Sequence, residues 1–469
     1  MGLRLLSLLF SGLLLSACQQ AVKPDSVTVP PSTHDGVHTY MLDNGMKVLV
    51  KEDHRSPVVV SQVWYKVGGS YEYDGITGIS HAIEHMMFKG TDKHGPGEFS
   101  EIIAANGGRE NAFTSKDYTA YFQRIASDRL PICLELEADR MRHLRLDEKE
   151  FKKEIEVIKE ERRMRTDDNP TALAYEQFNA MAFTNSSYRQ PVIGWMDDLN
   201  NMKISDLRSW YHTWYAPNNA TLVVTGDVTG EQVYQLAKKY FGPLKPSVIP
   251  DPKPRTEEKQ LGERRIIIKA PAKLPYLVMG YKVPVLKTAK QDWEPYALEV
   301  LAGVLDGGDS SRLSRALIRG EIAVSASAGY ELDSRQESLF MLDGSPASKV
   351  SVKQLEKALL KQVAKIKQTP PSTGELERVK AQVMASKVYE QDSMFYEAMQ
   401  LGILESVGLG WEKKQEYLKR IEAVTPEQVQ AVARKYLILG HLTLARLVPL
   451  PLDGKTPRPM MGGDIRHVR

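Results

Sequence analysis

His81-Ala82-Ile83-Glu84-His85 places two imidazoles and a carboxylate within one short stretch of chain. Residues i and i+4 share one face of a helix, so His81 and His85 can point at a single ion. Zinc takes neutral imidazole nitrogen at about 2.0–2.1 Å, and a zinc ion that does chemistry keeps three protein ligands and one open position. Glu84 lies three residues after His81, beside it on the helix surface. It can reach a zinc-activated water without being a ligand, and a carboxylate there takes the proton that the water loses. The chemistry would be hydrolysis. The bland readings are helix-surface histidines or a structural zinc. Ile79, Ala82, Ile83, Met86 and Met87 surround the trio with apolar bulk, and ionisable groups in such company are costly unless paired.

A third ligand must come from elsewhere. The segment 149–161, Lys149-Glu150-Phe151-Lys152-Lys153-Glu154-Ile155-Glu156-Val157-Ile158-Lys159-Glu160-Glu161, is helical in pattern and rich in carboxylates. Glu154 and Glu161 are seven apart and so stack on one face two turns from each other. Spacing does not choose between Glu160 and Glu161, and without a metal the segment reads as a solvated charged face.

Strand and helix signals around these residues alternate. Lys47–Val50 and Val58–Tyr65 read as strands, helical patterns cover 77–90, 98–106, 128–142 and 147–165, and strands return near 111–124 and 220–226. The second half repeats the class, with strands near 264–268, 276–282, 322–330, 336–344 and 441–448. Both halves also end alike: Ser205 opens a helix that Pro217-Asn218-Asn219 closes before the strand 220–226, and Thr425-Pro426-Glu427 opens one that Gly440 closes before the strand 441–447. The expected fold is α+β: two duplicated domains, each a mostly antiparallel sheet with helices packed largely on one face. Pro243, Pro246, Pro250, Pro252 and Pro254 mark a linker over 242–258. It separates a zinc-bearing domain at 38–241 from a second domain at 259–450.

The 469 residues allow two domains or more, and a net charge of +3 from 62 basic and 59 acidic residues gives no sign of a nucleic-acid partner. Arg4, the apolar run Leu5–Leu15 and Leu15-Ser16-Ala17-Cys18 describe a secretory signal over 1–17. The last four residues resemble a bacterial lipobox, in which Cys18 would carry the lipid. Residues 18–37 then form a tether, and 451–469 a C-terminal tail. Cys133, the one other cysteine, sits in an apolar stretch and reads as a small buried hydrophobe. His94, His143, His212 and His441 read as loop, helix-end or packing residues.

The segment Gly78–Thr91 resembles the motif of the pitrilysin/insulinase metallopeptidases, whose His-x-x-Glu-His inverts the commoner His-Glu-x-x-His order. That resemblance implies a third ligand about 76 residues beyond the second histidine, which falls on Glu161. It also implies a supporting carboxylate seven residues earlier, Glu154, tuning the site. Gly107–Thr119 is similar to the family's edge strand, where substrate binds as an added β-strand, with Asn111 and Ala112 against its backbone. Tyr188–Gly194, Tyr215–Asn219 and the Gly307–Leu313 turn also match, so the resemblance runs over roughly 38–450.

One departure stands out. Many members carry an Arg and a Tyr in the second domain that anchor the substrate backbone. Arg319 can supply the first, but Val324 stands where the Tyr would align, and Tyr330 is out of step. The resemblance therefore implies a dimer in which a homologous subunit supplies the pair, set against a homodimer, with a chamber enclosed between the two chains. The expectation as a whole is an endopeptidase holding one Zn²⁺ per chain, lipid-anchored in a bacterial cell envelope and facing the periplasm. The alternatives are a non-catalytic scaffold subunit of the same fold, or a peptide-binding lipoprotein with a structural zinc.

Overall fold

The computed structural model describes residues 32–34, 36–253 and 255–452. The signal, Cys18 and most of the tether and tail lie outside them. Among the described residues no helix is long and apolar enough to cross a membrane.

The first sheet has seven strands: β1 (Ser32–His34), β2 (Val37–Met41), β3 (Lys47–Glu52), β4 (Val58–Tyr65), β5 (Arg109–Thr114), β6 (Thr119–Ala126) and β7 (Ala220–Gly226). Their order is β1-β2-β3-β7-β4-β6-β5. The second has β8 (Arg264–Pro271), β9 (Tyr276–Val283), β10 (Ala323–Gly329), β11 (Ser338–Pro346) and β12 (Leu442–Leu450), in the order β10-β11-β9-β12-β8. Helices of the first half are α1 (Ile79–Met86), α2 (Glu98–Ala105), α3 (Leu130–His143), α4 (Glu148–Arg162), α5 (Pro170–Ala182), α6 (Met196–Asn201), α7 (Ile204–Trp214) and α8 (Gly230–Tyr240). Those of the second are α9 (Glu294–Asp306), α10 (Val352–Gln368), α11 (Thr373–Gln391), α12 (Met394–Ser406), α13 (Lys413–Ala423) and α14 (Pro426–Tyr436).

The duplication is visible in strand pairing. β3-β7-β4-β6-β5 and β8-β12-β9-β11-β10 share one topology, parallel at the first pair and antiparallel at the other three. Thr221 faces Lys47 and Trp64, and Thr443 faces Arg264 and Gly280. Trp64 and Gly280 thus occupy equivalent positions.

Helices of each half cover one face of its own sheet. The other face is covered by a helix lent by the other half. On the first sheet, Val60, Trp64 and Val223 pack against Ala398, Met399 and Leu401 of α12. On the second, Val278, Ala445 and Leu447 pack against Ala174, Phe178 and Ala182 of α5. This is why β4 and β7 are buried along nearly their whole length, a pattern that antiparallel strands with one wet face do not show. The two exchanges use the same device in opposite order. A Cβ on Gly402 of α12 would lie 2.0 Å from Trp64 Cε2, and one on Gly280 would lie 2.7 Å from Phe178 Cζ. In one half the helix supplies the gap and the strand the ring; in the other the roles reverse.

Overpacking a tight core costs about 1–3 kcal/mol or more. Gly402→Ala is expected to lower stability by at least that amount in denaturant unfolding. Gly374→Ala, where a Cβ meets nothing within 4 Å, should leave it unchanged or slightly higher.

Candidate metal centre

Helix α1 is sided by its sequence. Ile79, Ala82, Ile83 and Met86 face the core under the first sheet, and His81, Glu84 and His85 occupy the opposite stripe. The helix is shorter than the 77–90 expected from the pattern. Gly78, with φ 86°, starts it, and Phe88 and Lys89 donate to the His85 and Met86 carbonyls in a tightened exit.

Its N-terminus is pinned from several sides. The buried Glu72 carboxylate accepts from Gly78 N at 2.7 Å and Ser80 N at 2.8 Å, satisfying donors that a helix start leaves open. Asp198 of α6 accepts from Thr77 N at 3.1 Å and Thr77 Oγ1 at 2.5 Å. Gly78 is pressed on Gly194, so a Cβ on Gly194 would lie 2.4 Å from the Thr77 carbonyl.

Helix α4 runs alongside. Asp147 caps it, accepting from Lys149 N at 2.8 Å and Glu150 N at 3.1 Å, and Phe151, Ile155 and Ile158 seat it in the core. Its seven-residue spacing delivers both Glu154 and Glu161 to α1. Glu161 Oε2 is 3.3 Å from His85 Nε2 and 3.8 Å from His81 Nε2. The two imidazole centroids are 4.7 Å apart. His81, His85 and Glu161 each offer one ligand atom, and these atoms lie within 4.8 Å of one another. Glu160 instead pairs outward with Arg163 at 3.1 Å. Glu154 Oε1 is 2.9 Å from His85 Nδ1, and its Oε2 is 2.6 Å from Lys89 Nζ. That contact turns the other ring nitrogen of His85 toward Glu161.

Glu84 stands between this group and the sheet. The Thr114 hydroxyl, at the end of the edge strand β5, donates to Glu84 Oε2. Burial pushes the Glu84 carboxyl up to about 7, against the pull of Thr114 and His85. Burial opposes the charge on His85, yet its bonds to Glu154 and Glu161 push it up to about 9. Burial likewise works against the Glu161 carboxylate, but His85, His81 and Arg165 hold it down at about 2.

The donor set fits zinc: two imidazole nitrogens and one carboxylate oxygen converge, with a carboxylate behind one ring. The second half has no equivalent, since His441 is its single histidine between 259 and 450.

The comparisons agree with that division. Residues 47–194 match the model of the insulinase family (peptidase family M16), and residues 201–383 match that of the peptidase M16 inactive domain. The chain is 34% identical over 357 residues to the zinc protease PqqE of Helicobacter pylori, covering 75% of this chain and 79% of that protein. The chain belongs to the M16 family. It is also 27% identical over 418 residues to the uncharacterized zinc protease YmxG of Bacillus subtilis, covering 88% and 98%. The crystal structure of a protease from Helicobacter pylori superposes with a TM-score of 0.84 at 30% identity, over 88% of this chain and 99% of that one. The periplasmic protease PqqL of Escherichia coli shares the fold, with a TM-score of 0.75 at 19% identity, over 89% of this chain and 48% of that one.

Asn111 and Ala112 lie on β5, whose one strand neighbour among the described residues is β6. Asn111 is exposed, and its side-chain oxygen accepts from Ala112 N at 2.9 Å. Arg319 is exposed in the second half and donates to the Asp309 carbonyl at 2.9 Å. Val324 is 60% exposed on β10, and the Tyr330 hydroxyl donates to the Pro284 carbonyl. Sequence reading assigned no part to Thr114, Glu72 or Lys89. Lys89 alone left a signal, one helical turn beyond His85.

Burial pushes the Glu72 carboxyl up to about 7 despite its two backbone donors. A folded value above the unfolded one means the associated stability is complete below about 4.5 and lost as pH rises through 7. The loss is at most about 3 kcal/mol. Glu72→Gln gives up one of the two acceptors and so starts less stable, but its deficit relative to wild type should shrink as pH rises from about 5 to about 8, read by denaturant unfolding with chelator present.

Proposed function

We propose that this chain is a zinc endopeptidase in which His81, His85 and Glu161 hold one Zn²⁺ and Glu84 is the general base. The observation that carries the reading is the convergence of those three side chains from two helices, with Glu84 of α1 beside them, held by Thr114 at the end of the edge strand β5. Zinc held there would supply Lewis acidity for peptide hydrolysis. Glu84, held by the Thr114 hydroxyl beside the ligand set, takes a proton from the attacking water and hands it to the leaving amine. Thr114 orients the carboxylate. Glu154 fixes the tautomer and tilt of His85 by accepting a hydrogen bond from its Nδ1–H.

Substrate adds to β5 as a further strand, its main chain meeting Asn111 and Ala112. An incoming carbonyl takes the Ala112 N–H, and the Asn111 side chain that holds it swings away. The catalytic unit is residues 38–241, joined through 242–258 to the second unit at 259–450. Arg319 belongs to the substrate-anchoring surface. With Val324 in place of an anchoring Tyr and Tyr330 engaged elsewhere, a homologous subunit completes the anchor. PqqL, about twice the length of this chain, supports pairing of two such units. Lipid on Cys18 tethers the protein in the cell envelope, facing the periplasm.

Glu84→Gln should keep zinc at one ion per chain and lose peptide hydrolysis by a factor of at least about 10², while His81→Ala should lose both. A hydrolytically competent Glu84→Gln protein contradicts the mechanism. Zinc retained in an inert wild-type chain would favour the scaffold reading. The partner is checked by purification from the native cell: one polypeptide with full activity rejects a heterodimer.

A further inference from the structure

The Glu161 carboxylate is divided between two partners. Oε2 faces the imidazoles, at 3.3 Å from His85 Nε2 and 3.8 Å from His81 Nε2. Oε1 faces the other way and lies 2.6 Å from a terminal nitrogen of Arg165. Arg165 follows Glu161 by four residues, so the two share a helix face. It does so across a change of winding. Helix α4 ends at Arg162 and continues as a single wider π turn over Arg163–Asp167, closed by Asp168 N donating to the Arg163 carbonyl at 2.8 Å. Such turns recur where a helix must re-aim a side chain at a functional site.

The arginines near Glu161 do different things. Arg162 is buried and holds the backbone, donating to both Glu176 oxygens and to the Gly194 carbonyl, each at 2.8 Å. Arg163 turns outward to Glu160 at 3.1 Å. Arg165 alone of the three meets the carboxylate that faces the histidines. The same pattern stands behind His85, where Lys89 holds Glu154 Oε2 and leaves Oε1 to the ring.

We propose that Arg165 is a positioning residue of the metal centre, holding Oε1 of Glu161 so that the metal meets Oε2 alone. The inference rests on the zinc reading above and deepens it. A carboxylate can bind a cation through one oxygen or two. One-oxygen binding leaves the fourth position of a four-coordinate zinc open to water, and two-oxygen binding fills or crowds it. A guanidinium suits this duty because its planar fork fixes direction as well as charge.

An i,i+4 ion pair on a helix surface contributes little to stability. If Arg165 did only that, R165M would shift the unfolding midpoint slightly and leave the metal untouched. A residue behind a ligand instead moves metal affinity by about 10–100-fold. The test uses the full chain loaded with zinc, then with Co²⁺ as a spectroscopic substitute. R165M is expected to surrender zinc to a competing chelator at least about 10-fold more readily. Its Co²⁺ visible band should weaken as coordination rises from four to five. R165K, which keeps a cation, should recover much of both readouts, and R163M should match wild type. R165Q gives a second neutral variant should R165M fold poorly. Neutral variants with wild-type chelator resistance and an unchanged Co²⁺ spectrum would overturn the proposal while leaving the zinc reading intact. A wild-type chain that takes up neither metal would overturn both.

Discussion

Two imidazoles and the carboxylates of Glu84, Glu154 and Glu161 share one small volume at the edge of an apolar core, and the rest of the first half is arranged around the cost of holding them there. Like charges this close repel, and burial penalises each. The structure answers with cations placed behind the carboxylates: Lys89 behind Glu154 and Arg165 behind Glu161. Glu84 has a hydroxyl donor instead of a cation, and it is the carboxyl of the group that burial pushes up to about 7. Those neighbours match the proposed division between ligand and base. Glu154 and Glu161 are bonded directly to a cation and to an imidazole, whereas for Glu84 burial outweighs the pull of Thr114 and His85.

Such a group tolerates little movement, so the elements that carry it are anchored by backbone contacts as well as side chains. The start of α1 is fixed by Glu72, by Asp198 through Thr77, and by the close approach of Gly78 and Gly194. The end of α4 is fixed through Arg162 to that same Gly194. The two helices that carry the proposed ligands therefore meet one loop at their adjoining ends. On a larger scale the exchange of α5 and α12 locks the halves together. Arg335 of the second half adds to this, bonded to Ser70 Oγ at 2.7 Å and, through its backbone N, to Asp117 Oδ2 at 3.0 Å, in the turn between β5 and β6. A half without its own histidine pair still shapes the strand that ends at Thr114.

Much of this was legible in the sequence. The His-x-x-Glu-His stripe, the seven-residue spacing of Glu154 and Glu161, and the alternating elements follow from helix and strand periods. The α+β class and the duplication follow from repeated order, and strand pairing carries the duplication further, to single positions such as Trp64 and Gly280. The helix exchange was not legible, because an apolar helix face such as that of Ala174 and Phe178 says that it must be covered and not by which sheet. The Thr114 contact with Glu84 was hidden for a similar reason: it joins residues thirty apart through β-pairing that no local pattern specifies. Choosing Glu161 over Glu160 took a family resemblance, since both lie on the helix and only its docking on α1 decides which one faces the rings.

The most direct measurement is anomalous diffraction at the zinc absorption edge from crystals of the full chain grown with zinc. The account predicts one strong peak among His81 Nε2, His85 Nε2 and Glu161 Oε2, within about 2.0–2.2 Å of each. A map with no peak there, or with zinc bound elsewhere while Glu161 stays paired to Arg165 alone, would contradict it.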